Sequence, residues 1–309
     1  MPSFYEKDFG AALSVTIDKF IYVIAHKIPN TNIKCMYDVI EEHTDINQMQ
    51  HAITRETLKY YDIRKEITTA SVSDIVTRGS GLGSSSAFTV GLVNALGHIT
   101  NQPIGATDLA VAACEVEMNR CGYPVGKQDQ YAAAVGGLNL FVFNSDGTVN
   151  VSRQIMYTEH VESLQNNLML VYSGHGRDAN NILQKQQNAM SSATKFDLVK
   201  KSRDKAFTGL ELIRAGSIDD FGALLHDAWM DKKAVCEGIT QDYFDVIYDK
   251  AMKAGALGGK LLGAGGGGFF LFYVPQERRE DVAQAVTRDT LCKVYDFNFH
   301  KLGSEVVIK

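Results

Sequence analysis

Two stretches of this chain combine residue types that could handle a polyphosphate. The first is Gly79-Ser80-Gly81-Leu82-Gly83-Ser84-Ser85-Ser86-Ala87, followed by a run that is apolar nearly all round. Its glycines let the backbone turn tightly and come close to a ligand. A helix opening after them would offer unpaired N–H groups and a positive dipole end. The serines add hydroxyls that can reach phosphate oxygens or Mg2+. A triphosphate suits this chemistry, with Gly79, Ser80, Gly81, Leu82, Gly83, Ser84, Ser85 and Ser86 as the nucleotide-binding candidates. A serine-capped glycine turn is the plainer alternative. No Lys-Ser/Thr pair follows the glycines, so this is not a Walker A loop, and the dinucleotide fingerprint is absent as well. The second stretch is Lys260-Leu261-Leu262-Gly263-Ala264-Gly265-Gly266-Gly267-Gly268, leading into Phe-Phe-Leu-Phe-Tyr. Glycine costs about 0.5–1 kcal/mol in regular structure. Four in a row therefore point to a close backbone approach to a ligand or another loop, or to a β-bulge.

Phosphoryl transfer from a metal-bound triphosphate needs a carboxylate for the metal and a group to orient the attacking hydroxyl. Glu117, on a helix predicted over 107–121, and Asp129, opening the next helix twelve residues later, could divide those tasks. Spacing alone does not decide this, because carboxylates on helices usually face water, and Glu115 is a rival ligand. Lys127 could hold a substrate oxygen or lower the pKa of Asp129, or it could be a solvated loop lysine. Arg177 follows the turn Gly174-His175-Gly176 and opens a predicted helix. Its guanidinium matches a second phosphate on the substrate, and a surface arginine at a helix start is the alternative.

The elements that must position these groups can be sketched from periodicity. Residues 11–27 read as one or two strands, 44–60 as a helix with Ile46, Met49, Ile53 and Tyr60 on one face, and 63–76 as a strand running into the first glycine loop. The apolar run after that loop suits a buried helix. A strand at Leu138–Phe143 follows the helix that Asp129 opens. Composition turns polar around 150–166, which sets the expected boundary between domains 1–160 and 161–309. Leu168–Gly174 reads as a strand, long amphipathic helices fill 177–254, and the second glycine loop runs into a strand. The tail holds a helix near 276–291 and closing strands. The order is mixed α+β rather than strict βαβ repetition.

Bulk composition narrows the function. The chain has 309 residues, 45% of them hydrophobic, and a net charge of −5. It is long enough for two ordinary domains and lacks the basic footprint of a nucleic-acid binder. The five cysteines form no CxxC pair and the eight histidines no HExxH. Scattered thiols fit a reducing compartment. With no signal-like start and no apolar run near the roughly 20 residues that span a bilayer, a cytoplasmic protein without membrane or nucleic-acid partners is expected.

The segment GSGLGSSSAFTVGLVNAL resembles the second motif of the GHMP kinases, whose loop wraps the phosphates of ATP. A proline usual before that loop is missing here, where Ile75-Val76-Thr77-Arg78 stands. EMNRCGYPVGKQDQYAAAVGG is similar to a galactokinase-like segment, and Lys260–Gly268 to the third motif, which supports the nucleotide site. The resemblance implies a two-domain α+β fold, with a ribosomal-S5-like N-terminal domain and a ferredoxin-like C-terminal one. It implies ATP and Mg2+ as cofactors, Ser85 and Glu117 as metal ligands, Asp129 as catalytic base, and Gly265 and Gly266 near the nucleotide. Tyr172–Arg177, the NNILQKQ that follows and the opening SFYEKDFGAALSVTIDKFIYV are similar to bacterial D-glycero-D-manno-heptose 7-phosphate kinases. That implies phosphorylation of an anomeric hydroxyl, with Arg177 and Gly174 at the substrate. A galactokinase- or fucokinase-like hexose kinase, or a non-catalytic sugar- or nucleotide-binding relative, are the alternatives, and a homodimer is allowed for. Members of the family begin with a strand and a GGGTD-like motif, expected here upstream of Met1.

Overall fold

The computed structural model describes residues 1–308 except 30, 31, 77, 78, 156, 157, 177 and 178. They fall into two compact units that interleave along the chain. One holds 1–15, 78–82 and 137–299, and the other 16–77, 83–136 and 300–309. The division passes through the first glycine loop. The sequence expectation of one boundary at 160 differs from this, because Gly10–Val15 and Leu138–Phe143 pair with each other as antiparallel strands inside the first unit.

The first unit contains an antiparallel four-stranded sheet of Gly258–Leu261, Phe269–Tyr273, Leu168–Tyr172 and Lys293–Tyr295, in that spatial order. Numbered by chain position within the sheet, the strands run 4-1-3-2, the ferredoxin-like order. Phe269–Tyr273 is apolar at every position because both of its faces are covered. Phe270 and Phe272 join a core with Trp229, Phe244 and Tyr248, while Tyr273 and Leu271 join another with Leu138, Leu168 and Ile213. The helices Ala193–Ala215, Ile218–Lys233, Asp242–Ala254 and Arg279–Thr287 realise the amphipathic stretches expected over 177–254 and 276–291. A second sheet carries the strands Gly10–Ile17, Leu138–Phe143 and Val149–Arg153, the last of which the polar composition of 150–166 had hidden.

The other unit has a mixed sheet in the order Ile21–Lys27, Ile67–Ser73, Ile33–Met36, Ile40–His43. The strands Ile33–Met36 and Ile67–Ser73 are parallel, a pairing that needs a long crossover, supplied here by Ile40–His43 and the helix Ala52–Tyr60. That helix starts later than the sequence pattern indicates, because Ile46–Gln48 forms a separate short 3-10 turn. The apolar helix after the glycine loop, Ser84–Ile99, buries Leu92 and Leu96 against Ile33, Ile67 and Leu58. No helix among the described residues is long and apolar enough to cross a membrane.

Candidate active site

The chemistry gathers at the start of the helix Ser84–Ile99. Gly83 precedes it with φ +74, a left-handed conformation that favours glycine. Ala87 N–H donates to Gly83 O at 2.9 Å, closing the first turn. That turn carries Ser84, Ser85 and Ser86 and no acidic residue, so the positive end of the helix dipole there is not offset by a carboxylate of its own first turn.

The acidic helix is not regular. The α-helix Ala106–Cys114 widens into a π turn over Glu115–Arg120, with Cys121 N–H donating to Val116 O. Such widened turns often mark functional sites, and this one separates the two rival acids. Glu115 accepts from Asn119 and lies 3.5 Å from Arg120 Nε, with 39% of its side chain exposed. Glu117 is 1% exposed and turns to the serine-bearing helix. Its Oε1 accepts from Ser85 Oγ at 3.0 Å and Thr89 Oγ1 at 2.9 Å. Its Oε2 accepts from Ser86 Oγ at 2.8 Å and from Gln130 Nε2. Sequence reasoning missed Thr89 and Gln130. The available signals were Thr89's place one turn after Ser85 and Gln130's place next to Asp129.

These oxygens fit a hard cation. Octahedral Mg2+ binds oxygen at about 2.0–2.1 Å, which sets neighbouring ligands about 2.9 Å apart. Ser85 Oγ and Glu117 Oε1 already have close to that separation. Among the described residues no group of three or more His, Cys, Asp or Glu could hold a metal. A magnesium ion held here would draw its other ligands from phosphate and water, as it usually does.

Asp129 stands in the first turn of the helix Gln128–Val135, where a carboxylate is favoured by the dipole. It packs on the glycine loop: a Cβ built on Gly83 would come within 3.1 Å of Asp129 Cβ and 3.2 Å of its Cγ. Loop end, metal-binding candidates and candidate base are thus brought together within one unit. Lys127 is the N-cap of the same helix. Burial pushes the Cys114 thiol up to about 12 while the Lys127 charge pulls the other way, so its ammonium lies within electrostatic reach of that thiol.

In the other unit, Ser80 is buried at 1% exposure, and its Oγ accepts from Leu82 N–H at 3.3 Å. The second glycine loop is fastened to it. Phe269 N–H donates to Ser80 O at 2.9 Å, and a Cβ on Gly268 would strike that same carbonyl. Side chains on Gly265 and Gly266 would run into Ile239 and Ile182. Lys232 Nζ donates to Leu261 O and Gly263 O at 2.7 and 2.6 Å. The glycines therefore answer a chain-on-chain approach, in which Gly268 and Phe269 pack on Ser80. A Cβ on Gly174 would collide with Leu291, so that glycine has a packing reason of its own. Arg177 lies outside the described residues.

The family model for the GHMP kinases N terminal domain matches residues 33–137, and that for the GHMP kinases C terminal domain matches 210–291. The chain is 26% identical to D-glycero-alpha-D-manno-heptose 7-phosphate kinase of Campylobacter jejuni, over 96% of its own length and 91% of that protein's. It is 25% identical to a galactokinase of Pyrococcus furiosus over 70% of this chain and 66% of the relative. Among solved structures, a D-glycero-D-manno-heptose 1-phosphate kinase from Bacteroides thetaiotaomicron superposes with a TM-score of 0.75 at 25% identity, covering 96% of this chain and 89% of the other. With both domains matched and the acidic pair and glycine loops in place, the chain belongs to the GHMP kinase family.

Proposed function

We propose that this protein is an ATP-dependent sugar kinase whose acceptor is a heptose phosphate, most specifically D-glycero-D-manno-heptose 7-phosphate at its anomeric hydroxyl. The observation that carries the kinase chemistry is the buried Glu117 carboxylate facing Ser85 and Ser86 at a helix N-terminus, with Asp129 packed on the adjoining Gly83. The choice of sugar is supported by the similarity to heptose phosphate kinases over nearly the whole chain. The shorter match to galactokinases favours a hexose as the second reading.

In this reading Gly79–Ser86 bind the triphosphate, and Gly265 and Gly266, packed on Ile239 and Ile182, hold the shape of the second loop whose Gly268 meets Ser80. Ser85 and Glu117 would hold Mg2+, which when bound would neutralise charge on the phosphate oxygens. Asp129 accepts the proton of the anomeric hydroxyl as its oxygen forms a bond to the γ-phosphorus, and the bond from that phosphorus to ADP breaks. Lys127 stabilises the charged form of Asp129 or holds a substrate oxygen. Arg177 and Gly174 are assigned to the acceptor's own phosphate. An ADP-release screen over sugars and sugar phosphates, run beside Asp129→Asn, tests this. The heptose 7-phosphate should give the highest kcat/KM. Asp129→Asn should lower kcat by about 10²–10⁴, the range for a lost general base, with ATP affinity nearly unchanged. Near-normal turnover in that variant would remove Asp129 from its role.

A further inference from the structure

Gln130 stands beside the proposed base and is fully buried. Its Nε2 donates to Glu117 Oε2, while its Oε1 is buried without a hydrogen-bond partner among the described residues. An amide that leaves half of its polar capacity unmet in the interior is poorly explained by packing, since an apolar side chain of the same shape would avoid the loss. What the amide provides is the donated hydrogen bond. The other partners of Glu117 are the hydroxyls of Ser85, Ser86 and Thr89. A hydroxyl can rotate and turn a lone pair to an arriving cation, whereas an amide nitrogen only donates. Thr89 also lies 2.9 Å from Ser85 O, so its single proton has another acceptor to turn to. Among the described residues, Gln130 is thus the one partner of the Glu117 carboxylate that can only donate and so keeps its bond when the hydroxyls reorient.

We infer that Gln130 is a positioning residue, pinning Glu117 Oε2 so that Oε1, beside Ser85, faces the metal. This rests on the reading of Glu117 as a metal ligand. It also ties the metal site to the base, because Asp129 and Gln130 are consecutive in the first turn of one helix. Partners behind a metal ligand typically govern metal affinity by about 10–100-fold.

The test is a calorimetric titration of Mg2+ into the chain saturated with a non-hydrolysable ATP analogue. Gln130→Met keeps the length and removes the donor. Gln130→Asn keeps an amide but withdraws it. Both should raise the Mg2+ Kd, by about 10–100-fold for Gln130→Met and by less for Gln130→Asn. Analogue affinity measured in a chelator, and Tm, should stay near wild type. If Gln130→Met does not fold, Gln130→Asn decides. A Mg2+ Kd within about twofold of wild type in a folded variant overturns the inference, provided that Glu117→Gln weakens Mg2+ in the same assay. Equal loss of analogue binding with and without metal also overturns it, since that is a structural effect. If Glu117→Gln leaves Mg2+ binding intact, the metal-ligand reading itself has failed.

Discussion

Two buried glutamates in the same unit invite comparison. Glu41 is 8% exposed and Glu117 is 1%. Both are wrapped in hydrogen bonds, but from different kinds of donor. Glu41 accepts from Tyr37 Oη at 2.7 Å, from His43 Nε2 at 3.0 Å, and from the backbone N–H groups of Gln50 and His51 at 2.6 and 3.0 Å. Backbone N–H groups cannot reverse their polarity, so this carboxylate is closed. It fastens the strand Ile40–His43 to the start of the helix Ala52–Tyr60, where His51 caps Thr54. Among the described residues, three of the four side-chain partners of the Glu117 carboxylate are hydroxyls, which can give up a donated bond and offer a lone pair instead. The identity of the donors, rather than the depth of burial, separates a structural carboxylate from one able to receive a cation.

The sharpest way to break this comparison is to neutralise each acid in turn. Glu117→Gln should raise the magnesium concentration for half-maximal activity by at least about 10–100-fold, the effect usual even for residues behind a ligand, with little loss of Tm. Glu115→Gln, on the outer side of the same π turn, should leave the requirement within a few-fold. If the two results are reversed, the site has been assigned to the wrong acid.

Glu41→Gln should do the opposite. It sets an amide against backbone N–H donors, and a buried donor left unpaired costs about 1–3 kcal/mol. The urea or thermal midpoint should fall, while kcat per folded molecule and the magnesium requirement hold. A magnesium effect as large as that of Glu117→Gln would erase the distinction.

A smaller effect comes from protons. Burial by itself would push the Glu41 carboxyl up, but the hydrogen bonds from Tyr37, Gln50, His43 and His51 outweigh it and hold the group at about 2. An unfolded glutamate titrates at about 4.3. Because the folded value is the lower one, the stabilisation is fully present above the unfolded value and is lost as pH falls toward 2. Wild type should therefore lose stability between about pH 5 and 2 more steeply than Glu41→Gln, and the gap between them should narrow. Parallel urea-midpoint curves over that range would show that Glu41 is not held in the way its hydrogen bonds indicate.

The glycine loops and the two-part α+β build could be read directly from the chain, because local chemistry marks them, whereas the acidic pair was singled out by the family resemblance, its spacing alone deciding nothing. Glycine runs violate strand and helix preference, and the run after the first loop is apolar nearly all round, the pattern of a largely buried helix. The strand Phe269–Tyr273 was legible for the same reason. Harder to see were Ile33–Met36 and Ile40–His43. Each is only four residues long, too short for alternation to register, and their pairing with Ile67–Ser73 and with each other is a long-range matter.

By itself, then, the sequence determined which residue types were available for phosphate, metal and proton, and roughly on which elements they ride. Tertiary structure decided which acid faces inward. Glu117 meets the serines while Glu115 stays outside; residues two apart on a helix do not share a face, and spacing alone does not say which of the two faces packs inward. It also decided the partners. Thr89 and Gln130 meet Glu117 only because the helices Ser84–Ile99 and Gln128–Val135 pack beside that turn, and hydrogen bonds between residues 13 to 32 positions apart are fixed by packing rather than by local sequence.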